Sequence, residues 1–295
     1  MPFRTHSRAA IPYLFAAPAL LVLAAFIYWP IVYSVWLSLH DVNLLSGRMR
    51  FVGLENYADL AQSEGFQRSV AITATFVVAS VPLRLALALF LAQLLVSERR
   101  TARVLRGVFF LPYVSSTAAI AVVWSWLFST DLGLINTAIR LVGGTPQNWL
   151  YDADTALFAI VAVSIWKQLG YDLVLFIAGL QAISPTLYEA ARIDGAGRFH
   201  QFRTLTLPLL TPTLLFLLVI SVIDSFQIFT LVNVMTRGGP ALSTDVVVMF
   251  FYRMGFVRLD YGTASAVVVI LFLTLLVLTL LKFGVLGRKV NYDPS

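Results

Sequence analysis

Polar side chains recur at helical spacing inside two stretches that are otherwise apolar. Ser164, Lys167, Gln168, Tyr171 and Asp172 follow one another at offsets of 3, 4, 7 and 8 from the first, which places them on one stripe of a helix. Ser221, Asp224 and Ser225 share a second stripe, with Gln227 beside it and Ile228 continuing it. A charge at membrane depth is expensive and faces either a cavity or a partner. Two such stripes on consecutive apolar stretches imply a water-filled path at their interface, and the chemistry on offer there is hydrogen bonding to a passing solute. A structural alternative stands beside this: Lys167, Asp172 and Asp224 can form ion pairs or hydrogen bonds between helices, and a pair can also support a site. Arg84, in an earlier apolar stretch, is expected to be structural and bonded to a neighbour's carbonyl groups.

Bond-breaking chemistry is not visible. A phosphate-cradling loop needs Gly-x4-Gly-Lys-Ser/Thr, and none of the three lysines, Lys167, Lys282 and Lys289, has the required glycine before it. There is no Gly-x-Ser-x-Gly, no His-Glu-x-x-His and no pair of carboxylates at catalytic spacing in a polar segment. His6, His40 and His200 are too far apart to suggest a metal cluster, and the absence of cysteine excludes disulfides and thiolate sites. The chain is therefore not expected to be an enzyme or to hold a cofactor. If its work requires ATP, another chain must hydrolyse it. The net charge of +6 does not indicate nucleic acid, because no stretch is polar enough to form a basic binding face.

The elements that must position the two stripes follow from composition. Hydrophobic residues make up 59% of the 295 and charged residues 12%, with mean hydropathy +0.84. A soluble domain carries about a quarter charged residues, so the solvent of this chain is mostly lipid. Crossing a bilayer takes about 20 apolar residues as a helix. Six stretches meet that length, at 11–39, 70–96, 108–129, 156–183, 209–235 and 264–286. The reading is an all-α polytopic membrane protein of six transmembrane helices and one domain, 1–295, without internal repeats. Pro18, Pro30, Pro82 and Pro112 lie within or at the ends of these stretches, where neighbouring helices can satisfy the freed carbonyls. The first stretch follows Arg4 and Arg8 like a signal peptide, but its length exceeds an h-region of roughly 7–15 residues, so it reads as an uncleaved anchor.

Six spans place both termini on one side. With the termini inside, the inner segments hold Arg4, Arg8, Arg99, Arg100, Arg103, Arg106, Arg192, Arg198, Arg203, Lys282, Arg288 and Lys289, twelve in all, against seven Lys/Arg in the outer loops. The positive-inside rule then puts both termini in the cytoplasm. Trp29, Trp36, Trp124, Trp126 and Trp149 fall near the outer ends of spans, as an aromatic belt would.

The inner loop at 184–207 reads Glu189-Ala190-Ala191-Arg192-Ile193-Asp194-Gly195-Ala196-Gly197 and continues to Leu205-Thr206-Leu207-Pro208. Glu189 and Asp194 suit the start of a short helix, where its dipole favours anions. Ala190 and Ala191 let another protein approach the backbone, and Gly195 and Gly197 permit a sharp turn. The pattern resembles the signature loop of ABC importer permeases, Glu-Ala-Ala, three residues, Gly, nine residues, Ile, one residue, Leu-Pro, with Leu205 in place of the Ile. Trp166-Lys167-Gln168, Gly179-Leu180-Gln181 and Gly238-Gly239-Pro240 are similar to the carbohydrate-type permeases of maltose and glycerol-phosphate importers.

The resemblance covers essentially the whole chain and implies the ABC type I importer permease fold in a bacterial inner membrane. It implies that the loop is a coupling helix, with Glu189, Ala190, Ala191, Asp194 and Gly195 docking on an ATPase subunit. It also implies partners: a second homologous permease, two copies of the ATPase that hold ATP and Mg²⁺, an extracytoplasmic solute-binding protein, a small-molecule solute and the lipid itself. Solute contacts transferred from maltose-type permeases fall on or near Ser164, Gln168, Tyr171, Ser221, Asp224, Ser225 and Ile228. The solute is left open among sugars, oligosaccharides, polyols and glycerol phosphates or phosphodiesters. Asp224 disfavours a bare anion while Lys167 points the other way. The rival function is an ATP-independent secondary transporter or channel, which would be expected to carry inverted repeats and broken helices; neither is visible in the sequence. A scaffold protein would leave the polar stripes unexplained.

Overall fold

The structure is a computed structural model that describes residues 6–43 and 47–286. Arg4, Arg288 and Lys289, and the side chains of Arg8 and Lys282, which enter the charge count above, lie outside the described residues. The elements in order are α1 (His6–Leu23), a π turn (Ala24–Tyr28), α2 (Trp29–Ser38), β1 (His40–Asn43), β2 (Arg48–Phe51), α3 (Glu55–Gln62), α4 (Glu64–Leu95), α5 (Arg100–Val114), α6 (Thr117–Leu127), α7 (Leu134–Leu141), α8 (Ala153–Gln181), α9 (Pro185–Ile193) and α10 (Arg198–Gln201). They continue with a π turn (Phe202–Thr206), α11 (Leu207–Leu209), α12 (Thr211–Phe226), α13 (Thr230–Met235), α14 (Val247–Tyr252), a π turn (Arg253–Val257) and α15 (Tyr261–Leu286). Among the described residues, five helical segments, Phe15–Ser38, Glu64–Leu95, Ala153–Gln181, Thr211–Met235 and Tyr261–Leu281, are long and apolar enough to cross a membrane, and a bent pair makes up to six.

The chain divides into two compact units, 1–63 with 251–273, and 64–250 with 274–295. In the first, α2 presents a ladder of rings along one face: Trp29 stacks on Tyr33 at 6.3 Å and Tyr33 on Trp36 at 5.6 Å. Beyond it the β1–β2 hairpin pairs His40 with Phe51 and Asn43 with Arg48. Asn56 of α3 locks this end by donating to the carbonyls of Ser38 and His40, at 2.8 and 3.0 Å.

The second unit is built on α4 and α8. Val81, Leu85, Ala88, Ala92 and Leu95 alternate by four and three residues and form one buried seam, the spacing that sends side chains into the grooves of a neighbouring helix. Leu169, Leu173, Phe176 and Ile177 of α8 and Leu217 of α12 meet that seam, and Ala88 and Ala92 leave room for close approach. Helix α5 crosses α8 so closely that a Cβ at Gly170 would collide with the Phe109 carbonyl oxygen. Only glycine fits that crossing.

The third apolar stretch departs from the expected continuous helix over 108–129. Helices α5 and α6 meet at a bend of 99°. Ser115 and Ser116 are extended, at φ −71°, ψ 150° and φ −56°, ψ 127°. Pro112 lies in the last turn of α5, and such a terminus leaves carbonyls without intrahelical partners. The fifth stretch is also interrupted, between the end of α12 at Phe226 and the start of α13 at Thr230. Broken helices, not visible in the sequence, are therefore present in two spans.

Candidate functional site

Each interruption frees backbone groups, and at the first of them a side chain answers for two carbonyls. Lys167 of α8 donates from Nζ to the carbonyl oxygens of Pro112, at 3.4 Å, and Tyr113, at 3.1 Å. It thus caps the C-terminal end of α5, where the helix dipole favours a cation. Its Nζ also lies 5.8 Å from the centre of the Tyr113 ring, and Tyr113 stacks on Tyr171 at 4.8 Å. At the other interruption, the chain from Gln227 to Phe229 leaves helical geometry before α13 begins.

Between the two breaks lies a cavity of about 270 Å³, lined by Thr117, Ser164, Lys167, Gln168, Asp224, Gln227, Ile228, Phe229, Thr230 and Leu231. Asp224 and Gln227 are exposed to it, while Ser164 and Lys167 are largely buried. Irregular backbone at membrane depth is tolerated where it lines a water-filled cavity. The lining offers a carboxylate, an ammonium, two amides and two kinds of hydroxyl, a set suited to orienting a polar, hydroxyl-bearing solute by hydrogen bonds.

Six of the residues singled out in the sequence thus come together: Ser164, Lys167, Gln168, Asp224, Gln227 and Ile228. Tyr171, Asp172, Ser221 and Ser225 lie outside the lining. Tyr171 stacks on Tyr113, and Ser225 is buried in α12. Asp172 and Ser221 instead meet Arg84. The Arg84 Nε lies 2.7 Å from Asp172 Oδ2, and its terminal Nη2 donates to the Ser221 hydroxyl. Arg84, expected to bond carbonyl groups, therefore pairs with a carboxylate and a hydroxyl and ties α4, α8 and α12 together. The sequence did not indicate Thr117, Phe229, Thr230 or Leu231, which reach the cavity only because two spans break. The pair Ser115–Ser116 after Pro112 was the available signal for the first break.

The loop at 184–207 forms a second site on the surface. Ser184 caps α9 by accepting from the Thr186 amide, and Pro185 occupies its first turn. Glu189 consequently falls in mid-helix and Asp194 at the C-cap, a correction to the expectation that both sit near a helix start. The helix ends in a Schellman turn: the Ala196 amide donates to the Ala191 carbonyl at 2.9 Å and the Gly195 amide to Arg192 at 3.0 Å, with Gly195 at φ +80°. Glu189, Ala190, Asp194 and Gly195 are exposed and Ala191 is half-buried.

Residues 84–292 match the family of binding-protein-dependent transport system inner membrane components, and the chain belongs to it. It is a permease subunit of an ABC importer, a multi-pass protein of the inner membrane. Among similar proteins, the sn-glycerol-3-phosphate transport system permease protein UgpA of Pectobacterium atrosepticum is 36% identical over 284 residues, 96% of each chain. The trehalose/maltose transport system permease protein MalF of Thermococcus litoralis is 37% identical over 286 residues, 95% of each. The resemblance read from the Glu189 loop is thereby borne out. A chain of the bacterial alginate ABC transporter, in complex with its alginate pentasaccharide-bound periplasmic protein, superposes with a TM-score of 0.84 at 23% identity, covering 96% of both chains. A bacterial ABC transporter involved in the import of the acidic polysaccharide alginate gives 0.83 at 24% identity, covering 97% of this chain and 98% of that one. These two fix the fold as that of an importer permease. The family match also answers the rival reading of a stand-alone transporter, which broken helices alone would have favoured.

Proposed function

We infer that this subunit forms half of the translocation path for a sugar, an oligosaccharide or a glycerol-phosphate-type solute, and that the cavity bounded by Lys167, Gln168 and Asp224 is part of that path. The observation that carries the reading is the meeting of two interrupted spans around a polar cavity. The relatives named for glycerol phosphate and for trehalose and maltose support the solute class. The subunit works beside a second homologous permease, two ATPase copies that hold ATP and Mg²⁺, and an extracytoplasmic solute-binding protein. Glu189, Ala190, Ala191, Asp194 and Gly195 dock on the ATPase, whose closing motion moves the spans as rigid bodies.

Asp224 is a clean position for the test, since it is exposed in the cavity and no ion pair among the described residues depends on it. A hydrogen bond to a charged group is worth about 1.5–3 kcal/mol, so Asp224→Ala should lower solute uptake by about tenfold or more. Uptake and ATP hydrolysis are measured together in proteoliposomes with the binding protein supplied, and the basal ATPase rate should be unchanged. Normal uptake by this variant would remove Asp224 from the path.

The orientation has its own test, with both termini cytoplasmic as the expectation. Single cysteines at Asp59 and Gln147, both exposed, should react with an impermeant thiol reagent added to intact cells, and cysteines at exposed Ser97 and His200 should not. The cysteine-free chain supplies the blank. Labelling at His200 from outside would reverse the topology.

A further inference from the structure

A second cavity, of about 340 Å³, lies where the ends of α4 and α8 meet the loop that carries α9. Arg192 and Arg198 both line it, and no carboxylate does. Among the described residues neither arginine has an ion-pair partner. Glu189 and Asp194, the acids of the same loop, do not reach the lining. Gln93, at the end of α4, adds an amide with no protein partner among the described residues. The walls are held in place by bonds of their own: Tyr188 Oη and Thr206 Oγ1 are 2.9 Å apart, and Gln201 Nε2 donates to the Ala196 carbonyl at 2.7 Å. The result is a preformed concavity with two uncompensated cations and no anion.

We propose that this cavity is a binding site for a phosphate-type anion, held by the guanidinium groups of Arg192 and Arg198 with Gln93 as a neutral donor. Guanidinium groups take phosphate oxygens in pairs through a fixed fork of N–H donors. The cavity opens at the ends of two spanning helices, the level of lipid headgroups, where basic pockets between helices take anionic lipid. An anionic phospholipid headgroup and free phosphate offer the same chemistry, so both are sources. The large apolar side chains that the loop leaves free, Ile193 at 87% and Phe199 at 77% exposure, do not line the cavity.

The test uses the assembled importer, purified in neutral detergent, and its melting temperature. Sodium phosphate is titrated against sodium chloride of equal ionic strength, and phosphatidylglycerol against phosphatidylcholine in mixed micelles. At roughly ten times Kd, mass action should raise the melting temperature by about 2–4 °C. The double variant Arg192→Gln/Arg198→Gln should lose this rise, and each single variant part of it. Both side chains are exposed, and among the described residues neither makes an ion pair or hydrogen bond that the variants would remove. A rise with both phosphate and phosphatidylglycerol identifies the ion itself as sufficient, and a rise with phosphatidylglycerol alone identifies the lipid headgroup. No rise with either in the unmodified importer overturns the proposal, as does a rise that the double variant retains. The first of these is the result expected if a carboxylate of a docked subunit already fills the cavity.

Discussion

Arg84→Met is expected to reduce the folded protein recovered from membranes by at least tenfold, and Asp172→Leu to do the same. The two side chains are 4% and 0% exposed and lie 2.7 Å apart, with the Ser221 hydroxyl as a further acceptor for Arg84. Removing one partner of a buried pair leaves a charge without compensation and costs about 3–5 kcal/mol. That loss is a large fraction of the folding stability of a small domain, about 5–15 kcal/mol. The double variant Arg84→Met/Asp172→Leu removes both charges together. It should recover most of the protein, because replacing an entire buried pair with apolar groups of similar size is close to neutral. Fluorescence-detected size-exclusion chromatography of the three variants in mild detergent measures the effect. Single variants recovered at the level of the unmodified protein would show that the pair does not hold α4, α8 and α12 together.

Gly195→Leu should leave the protein inserted and assembled while abolishing the stimulation of ATP hydrolysis by solute-loaded binding protein. An added Cβ at this position meets nothing within 4 Å, so crowding is not the cause. The cause is the backbone, which at φ +80° lies in the left-handed region. A branched side chain there costs about 1–2 kcal/mol, and the Schellman turn is exposed and can rearrange to escape that cost. Rearrangement moves Asp194 and the C-terminal end of α9, the surface proposed to meet the ATPase. Gly195→Asn is the control, since asparagine tolerates left-handed geometry, and it should keep most of the stimulation. ATPase assays of the reconstituted complex, with copurification of the ATPase checked in parallel, separate lost coupling from lost assembly. Normal stimulation in an assembled Gly195→Leu complex would detach this turn from coupling.

Much of this molecule is legible from residue order because its strongest constraints are local. A bilayer requires long apolar helices, so the six stretches appear as helical segments close to where hydropathy places them, four of them without a non-helical gap. The loop at 184–207 is legible for a related reason: Ser184, Pro185 and Gly195 are start and stop signals that act within a single turn of helix, and the motif spacing identifies the family before any packing is known. The polar stripe on α8 also follows from helical period alone.

Tertiary structure decided what each polar residue on those stripes does. Periodicity says that Lys167, Gln168, Tyr171 and Asp172 share one side of α8, a side broad enough to meet several neighbours at once. Asp172 faces α4 and finds Arg84; Lys167 faces the broken end of α5 and finds two carbonyls; Gln168 is left to the cavity. Which partner each side chain meets depends on helix crossings set by the small residues Ala88, Ala92 and Gly170, and those act between segments far apart in sequence. The 99° bend has the same origin. Pro112 and two serines permit a break, but in isolation an apolar helix would continue through them. The break persists here because Lys167, more than fifty positions further along the chain, satisfies the carbonyls it exposes.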